Sequence, residues 1–509
     1  MSLLALAAFL RLAPVGSTLP YISYVDEGHV LHPAIEILRT GEFDPRRFTY
    51  PPLTSYLIIV AAKAYGPVYR LTHHHSLRSD LPRAQDFQTE LGENYDLITP
   101  PEIVLLGRVV VACLSIGIVV LAGALARRLA GPRVALLAAL FVAVCPALVS
   151  RGSIAIIDTT AAFFAIATFY FCERLRMAAL ESVNGLWRFA ALAGGAAGLA
   201  FGGKYTVGLV FVAIPITIAA LPRPLIAKAS LLLVSFGGLI LGLYAGAPIA
   251  VLHPERIVKE LSAQARFYQS IRSEHNYLGA LLSSSEVGVI LFLGGCAGLA
   301  WMIMRRPTRT TTLSWLAFAV MLLITVGWTS FQPFRNLLSL VPLLCIALAF
   351  LFVQMSRTAA LIAVGFLCAA QLALATTKQL RVRLSQTDAR IEAVDWLRQH
   401  AASDEKILGI RELAILPSEW QRLSPNAVVV SWFDAADLLQ QQAFDYVVTG
   451  DFDLRYAKDP PAWAAYRDRW LAGVATFSQA ARFGSVPTPI VPYLWRTNDE
   501  RIVILKGQR

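Results

Sequence analysis

Residues 21–57 read YISYVDEGHVLHPAIEILRTGEFDPRRFTYPPLTSYL, and the way this stretch is taken decides the fold. It follows the apolar opening MSLLALAAFLRLAPVGSTLP and leads into a second apolar run, LIIVAA. In a water-soluble chain the adjacent carboxylates Asp26 and Glu27 would be an ordinary solvated helix cap. At the surface of a membrane, ionisable groups beside apolar segments are costly unless they are paired or used.

The remainder of the sequence selects the membrane. The chain has 509 residues, 56% of them hydrophobic and only 16% charged, with a mean hydropathy of +0.56. A soluble domain carries roughly 25% charge. Apolar runs of about 17–25 residues, the length a spanning helix needs, recur across the first three quarters. Windows of about 19 residues place membrane helices near 2–19, 103–126, 133–150, 159–175, 188–203, 205–221, 225–250, 280–304, 312–329, 336–355 and 358–376, about eleven in all. The expectation is a polytopic α-helical membrane protein. A membrane domain covers 1–377, with 20–102 as its first outer loop, and a second domain covers 378–509. The N-terminal segment lacks a basic region ahead of its apolar part, so it reads as a retained first helix rather than a cleaved signal.

The net charge of +11 has the same origin. Arg127, Arg128 and Arg133, then Arg174, Arg176 and Arg188, then Arg223 and Lys228, then Arg305, Arg306 and Arg309, then Arg357 fall in alternate loops, as the positive-inside rule requires of the cytoplasmic side. With an odd number of spans the N-terminus is cytoplasmic and the C-terminal domain extracytoplasmic, in the plasma (inner) membrane. No basic patch interleaved with aromatics points to nucleic acid. The six cysteines lie inside apolar runs without a CxxC pair, which suggests small core residues rather than a zinc site or disulfide framework. His73–His75 cannot share one helix face and reads as an exposed loop. The run at 52–71 is interrupted by Lys63, Gly66 and Pro67. It reads as a helix lying in the outer interface, where lysine can snorkel, rather than as a span.

Beyond residue 380 the pattern changes. LSQTDARIEAVDWLRQHAA has helical periodicity, and the short apolar runs KILGI, NAVVVSW, FDYVVTG and RIVIL alternate with helix-like stretches. That alternation predicts a small α/β domain with a partly parallel sheet. It carries no dinucleotide fingerprint, P-loop or nucleophile elbow.

On this topology the unusual polar residues gather on one side. Asp26 and Glu27 follow the first helix, Arg108 lies a turn inside the second, Arg151 ends the third and Asp158 opens the fourth. Lys204 lies between the fifth and sixth in GLAFGGKYT, His253 and Glu255 follow the seventh, and Arg335 starts the tenth in SFQPFRN. A mixed set of carboxylates and cations suits a polar substrate bearing phosphate: a carboxylate can take a proton from a hydroxyl, while arginine and lysine hold a phosphate and its developing charge. A divalent metal bridging Asp26, Glu27 and a phosphate is compatible with hard-cation chemistry, though nothing in the sequence forces one. Each residue also has a plainer role: Asp158 as an N-cap, Lys204 and Arg335 as snorkelling side chains, Arg108 and Arg151 as structural groups.

Taken in order, DEGHVLHPAIEILRTGEFDPRRFTYPPL, LLGRVVVA, SRGSIAIIDTTAAFF, GLAFGGKYT and PFRNLLSLVPLL resemble the GT-C glycosyltransferases, specifically the phospholipid carrier-dependent family of protein O-mannosyltransferases and the lipid A aminoarabinose transferase. The resemblance covers about residues 1–376 and, more loosely, the tail. It implies a GT-C-like membrane enzyme, an inverting hexosyl- or pentosyltransferase. The donor would be a polyprenyl-phosphate sugar, the acceptor a lipid, glycan or protein on the extracytoplasmic side. It makes Asp26 the catalytic carboxylate, with Glu27 in support. It makes Asp158 a residue that shapes the site and sets Lys204 and Arg335 on the donor phosphate, with Tyr205 and Arg151 nearby; their place on the same outer side adds Arg108 and His253 to the substrate-binding candidates. Unlike protein O-mannosyltransferases, the chain shows no inserted domain between late membrane helices, since 253–277 is too short for one, and this favours lipid or glycan over protein as acceptor. The alternatives are a transporter or flippase for polar lipids, which would show inverted repeats and mid-membrane charges, and a non-catalytic export component.

The topology makes a direct prediction. Epitope tags at Asp80 and Asn94 should be reached only from the extracytoplasmic side of sealed vesicles; cytoplasmic access would overturn the assignment of sides.

Overall fold

The computed structural model describes residues 3–22, 24–45, 49–82, 88–89, 92–93, 100–181, 185–270, 276–328, 332–355, 359–385, 387–451, 460–484 and 501–507. The chain forms two compact units. One comprises Met1–Val15, Thr40–Pro67 and Leu106–Arg383; the other comprises Gly16–Arg39, Val68–Leu105 and Leu384–Arg509.

In chain order the main helices are α1 (Leu3–Leu12), α2 (Val25–Thr40), α3 (Leu53–His73), α4 (Pro101–Ala130), α5 (Pro132–Val144), α6 (Ile157–Leu180), α7 (Leu186–Gly203), α8 (Leu225–Gly246), α9 (Pro254–Ser270), α10 (Val289–Met304), α11 (Arg306–Gly327), α12 (Val341–Met355), α13 (Ala359–Ser385) and α14 (Ala389–His400). Among the described residues, four helices are long and apolar enough to cross a membrane by themselves: Pro101–Ala130, Leu225–Gly246, Arg306–Gly327 and Phe334–Gln354. Several segments that look continuous in sequence are broken. The run at 133–150 stops at Cys145 because Pro146 has no N–H to continue the ladder, and a short helix, Pro146–Arg151, follows. The run at 205–221 begins as a 3-10 helix, Tyr205–Val212, before it turns α-helical over Ala213–Ala219. The first α-helix is ten residues long, shorter than the apolar run that contains it.

A broken helix leaves carbonyls without partners, which apolar surroundings do not tolerate. Arg11 resolves the break after α5. It is fully buried, and its guanidinium donates to Val142 O at 3.0 Å, Ala143 O at 2.9 Å and Ser115 Oγ at 2.7 Å. The Thr376 hydroxyl donates to Val144 O at 2.8 Å.

α7 and α8 pack closely against each other. Apolar surroundings provide little hydrophobic drive between helices, so association depends on close packing of small residues. A Cβ on Gly198 would stand 2.3 Å from Leu239 O, one on Gly238 2.3 Å from Ala191 O, and one on Gly242 2.2 Å from Gly195 O. α10 meets α12 in the same way: a Cβ on Gly298 would stand 2.1 Å from Ala347 O.

In the other unit, the C-terminal segment builds a five-stranded sheet from β1 (Ile407–Ile410), β2 (Val428–Val430), β3 (Tyr446–Gly450), β4 (Phe477–Phe483) and β5 (Ile502–Gly507), in the order β2-β1-β3-β5-β4. β1 runs parallel to β2 and β3, while β5 is antiparallel to both β3 and β4. The four apolar runs seen in the sequence are β1, β2, β3 and β5. β4, FSQAARF, is a largely exposed strand without the apolar alternation that would announce it.

The α7–α8 contact predicts that Gly198→Leu forces a side chain into backbone. Overpacking costs about 1–3 kcal/mol, read as a lower Tm of the detergent-purified protein; an unchanged Tm would mean the helices do not meet there.

Candidate functional site

Within the first unit, a cavity of about 360 Å³ opens where α6 begins and α7 and α11 end. That volume lies at the lower end of the range for small-molecule sites. Ile157, Phe201, Leu209, Leu261 and Val326 give it apolar walls, while Asp158, Lys204, Tyr205, Arg335 and Asn336 supply its polar groups. Thr49 and Tyr50, which precede α3, and Trp328 complete the rim.

The backbone explains why Lys204 points inward. α7 ends at Gly203, where a Cβ would stand 3.0 Å from the Ala161 backbone, so α7 approaches α6 closely at that point. Lys204 itself is extended, with φ −156° and ψ 122°, and forms the break between α7 and the following 3-10 helix. Asp158 lies three residues before Ala161 on the same face of α6. The Lys204 ammonium donates to Asp158 Oδ1 at 2.5 Å and to Asn336 Oδ1 at 2.7 Å. Asp158 is therefore more than a helix cap: the N-cap position is Ile156, and Asp158 stands in the first turn as the buried carboxylate of an ion pair with the half-buried Lys204. Asn336 Nδ2 donates to Tyr277 Oη at 2.9 Å, and the Tyr277 hydroxyl donates to Val326 O at 3.3 Å. Burial pushes the Tyr277 hydroxyl up to about 12, against the opposing effect of the Asn336 hydrogen bond, so it stays protonated at neutral pH.

Arg335 lies beside Asn336 in the 3-10 helix Phe334–Leu340, which Pro333 opens. Among the described residues that line the cavity, Asp158, Lys204 and Arg335 are the charged ones. α9 supplies Leu261 and Ala265 to the wall. It is tied down by Arg256 Nη1 donating to Asp44 Oδ2 at 2.8 Å and by the Thr49 hydroxyl donating to Glu260 Oε2 at 3.2 Å. Such a space, cationic at one place and apolar around it, suits an amphiphilic anion.

Other candidates from the sequence have different surroundings. Arg151 makes a two-pronged pair with Glu286, at 2.5 and 2.7 Å, and lies over the Phe334 ring at 5.5 Å; it braces the segment that carries Arg335. Arg108 is fully buried and donates to Val15 O at 2.9 Å. His253 is exposed, 3.3 Å from Glu255. These three do not line the cavity. The sequence pointed to neither Asn336 nor Tyr277, although Asn336 stands in the quoted FRN triplet and Tyr277 closes the 253–277 stretch.

Asp26 and Glu27 belong to the other unit. They occupy the first turn of α2 and are both buried, where the positive end of the helix dipole favours carboxylates. The chain leading to them is clamped. Arg390 grips Asp388 through Nε at 2.8 Å and Nη2 at 2.7 Å. It also donates to Ile22 O at 3.3 Å and stacks over the Tyr21 ring at 4.1 Å. Burial pushes the Tyr21 hydroxyl up to about 12, the nearby Arg390 charge opposing it. His73, His75 and Asp80 also lie in this unit. His73 stacks on Tyr69, and His75 is 2.6 Å from Asp80, whose carboxyl is partly desolvated yet held below its usual range by hydrogen bonds from Tyr69 and His75. Among the described residues, no group of three or more His, Cys, Asp or Glu side chains is arranged to hold a metal ion.

The dolichyl-phosphate-mannose-protein mannosyltransferase family matches residues 88–251. The structure of ArnT from Cupriavidus metallidurans bound to undecaprenyl phosphate superposes with a TM-score of 0.58 at 14% identity, over 100% of this chain and 98% of that one. Its apo form gives 0.57 at 13% identity with the same coverage. The Archaeoglobus fulgidus oligosaccharyltransferase AglB, in complex with an inhibitory peptide and a dolichol-phosphate, gives 0.50 at 12% identity over 96% of this chain and 72% of that one. No curated protein matches in sequence. The chain has the fold of GT-C glycosyltransferases and is an integral membrane protein.

The ion pair predicts non-additive stability. Lys204→Met leaves the buried Asp158 carboxylate uncompensated, at a cost of up to about 3–5 kcal/mol, and Asp158→Asn, which leaves the half-buried Lys204 ammonium, should cost less. The double variant should recover much of that loss in Tm; additive losses would mean that the two groups do not interact.

Proposed function

We propose that this GT-C-fold membrane protein is a glycosyltransferase. It moves a sugar from a polyprenyl-phosphate carrier to a lipid, glycan or protein acceptor on the extracytoplasmic side. The observation that carries this reading is the cavity that brings the cations Lys204 and Arg335 together with the carboxylate Asp158 among apolar walls. A polyprenyl phosphate has that chemistry, an anionic head on a hydrocarbon chain. The fold neighbours add support, since the ArnT and AglB structures were solved with undecaprenyl phosphate and dolichol-phosphate.

In this reading the acceptor oxygen attacks the anomeric carbon as the bond from that carbon to the phosphate oxygen breaks, inverting the centre. Asp26 takes the acceptor's proton, with Glu27 in support. The phosphate departs on its lipid with the negative charge, and Lys204 and Arg335 stabilise that charge where it develops. Low-dielectric surroundings make each such contact worth more than in water.

The test is transfer by purified protein in liposomes supplied with polyprenyl-phosphate sugars and, separately, nucleotide sugars. Transfer or slow hydrolysis from a polyprenyl-phosphate sugar is expected. Asp26→Asn should lower it by at least about 10²-fold, the lower end of what a positioned base supplies, with Tm and expression kept. Full activity of that variant would remove Asp26 from the mechanism, and use of nucleotide sugars alone would overturn the donor.

A further inference from the structure

We propose that Asn336 is a positioning residue that sets the Lys204 ammonium for phosphate, and that Tyr277 fixes which way the Asn336 amide faces. This rests on the reading of the cavity as a lipid-phosphate site. The hydrogen bonds form a chain with one direction. Tyr277 gives its only proton to Val326 O at 3.3 Å, so its oxygen is left as an acceptor. That oxygen receives Asn336 Nδ2 at 2.9 Å, which turns Oδ1 toward Lys204 Nζ at 2.7 Å. A flipped amide would set its NH₂ against an ammonium, which has only donors, and its carbonyl would be met only if the tyrosine proton left Val326 O. Asn336 and Tyr277 are buried, so water does not readily replace either partner.

The consequence lies in charge. An ammonium has three donors. Asp158 takes one and Asn336 takes another without adding negative charge. The Asn336 amide therefore orients the ammonium without setting a second negative charge beside it. An acid at 336 would place two carboxylates around Lys204. It would also lose the N–H that Tyr277 accepts.

The experiment measures equilibrium binding of a polyprenyl phosphate, with no sugar and no acceptor, to purified protein, and the donor KM and kcat, in wild type, Asn336→Asp and Tyr277→Phe. Tm is read on each preparation. Wild type is expected to bind. Asn336→Asp should weaken binding at least tenfold and raise KM more than it lowers kcat. Tyr277→Phe, which keeps the ring and frees the amide to turn, should weaken binding to a smaller extent. Affinity and KM unchanged in both variants while wild type binds would overturn the positioning role and leave the functional reading standing. A lowered Tm with unchanged affinity would show a merely structural role and overturn it likewise. No binding by wild type would overturn the lipid-phosphate reading itself, and this inference with it.

Discussion

The half-buried charge of Lys204, paired with the buried Asp158, is the constraint on which the rest of the first unit depends. An ammonium taken out of water is tolerated only with a counter-charge and well-placed acceptors, and here these come from three separate places in the chain. Asp158 opens α6, Lys204 ends α7, and Asn336 comes from the 3-10 helix before α12. Holding these ends together is a demand on the helices behind them.

The helices meet that demand by close approach. Small residues let α7 lie against α8 with backbone nearly touching backbone, and Gly203 lets its last turn meet Ala161 on α6. The helix breaks serve the same purpose. At Lys204 the extended backbone turns a side chain sideways that a continuous helix would carry along its face. At Cys145–Pro146 the break ends α5, and Arg11 supplies the donors that the interrupted ladder lacks. In the second unit, Arg390 plays a comparable part for the segment that leads toward α2, joining Asp388, Ile22 and Tyr21 through one guanidinium.

Much of this was legible in the sequence because hydrophobicity and charge act locally. The apolar runs located the helices of the membrane class, and the strands β1, β2, β3 and β5 showed as short apolar segments. Asp158 and Lys204 stood out because charge is rare within such runs. β4 did not show, since an exposed edge strand needs no apolar face. The breaks in the 133–150 and 205–221 runs were hidden, because composition measures apolarity and not hydrogen-bond continuity. Asn336 and Tyr277 were missed for a related reason: neutral polar side chains are common, and their importance comes only from what they touch.

By itself, then, the sequence determined the membrane class, the resemblance to GT-C enzymes, the C-terminal α/β segment and a set of charged candidates, since each follows from composition, period and motif along the chain. Which candidates share a cavity was decided only by the tertiary structure. Asp158, Lys204 and Arg335 line one space, whereas Arg151 is held by Glu286, Arg108 by the Val15 carbonyl, and His253 lies beside Glu255 in solvent. The physical reason is that an ion pair or hydrogen bond depends on distances of about 3 Å, and residues scattered from 158 to 336 acquire such distances only when helices pack.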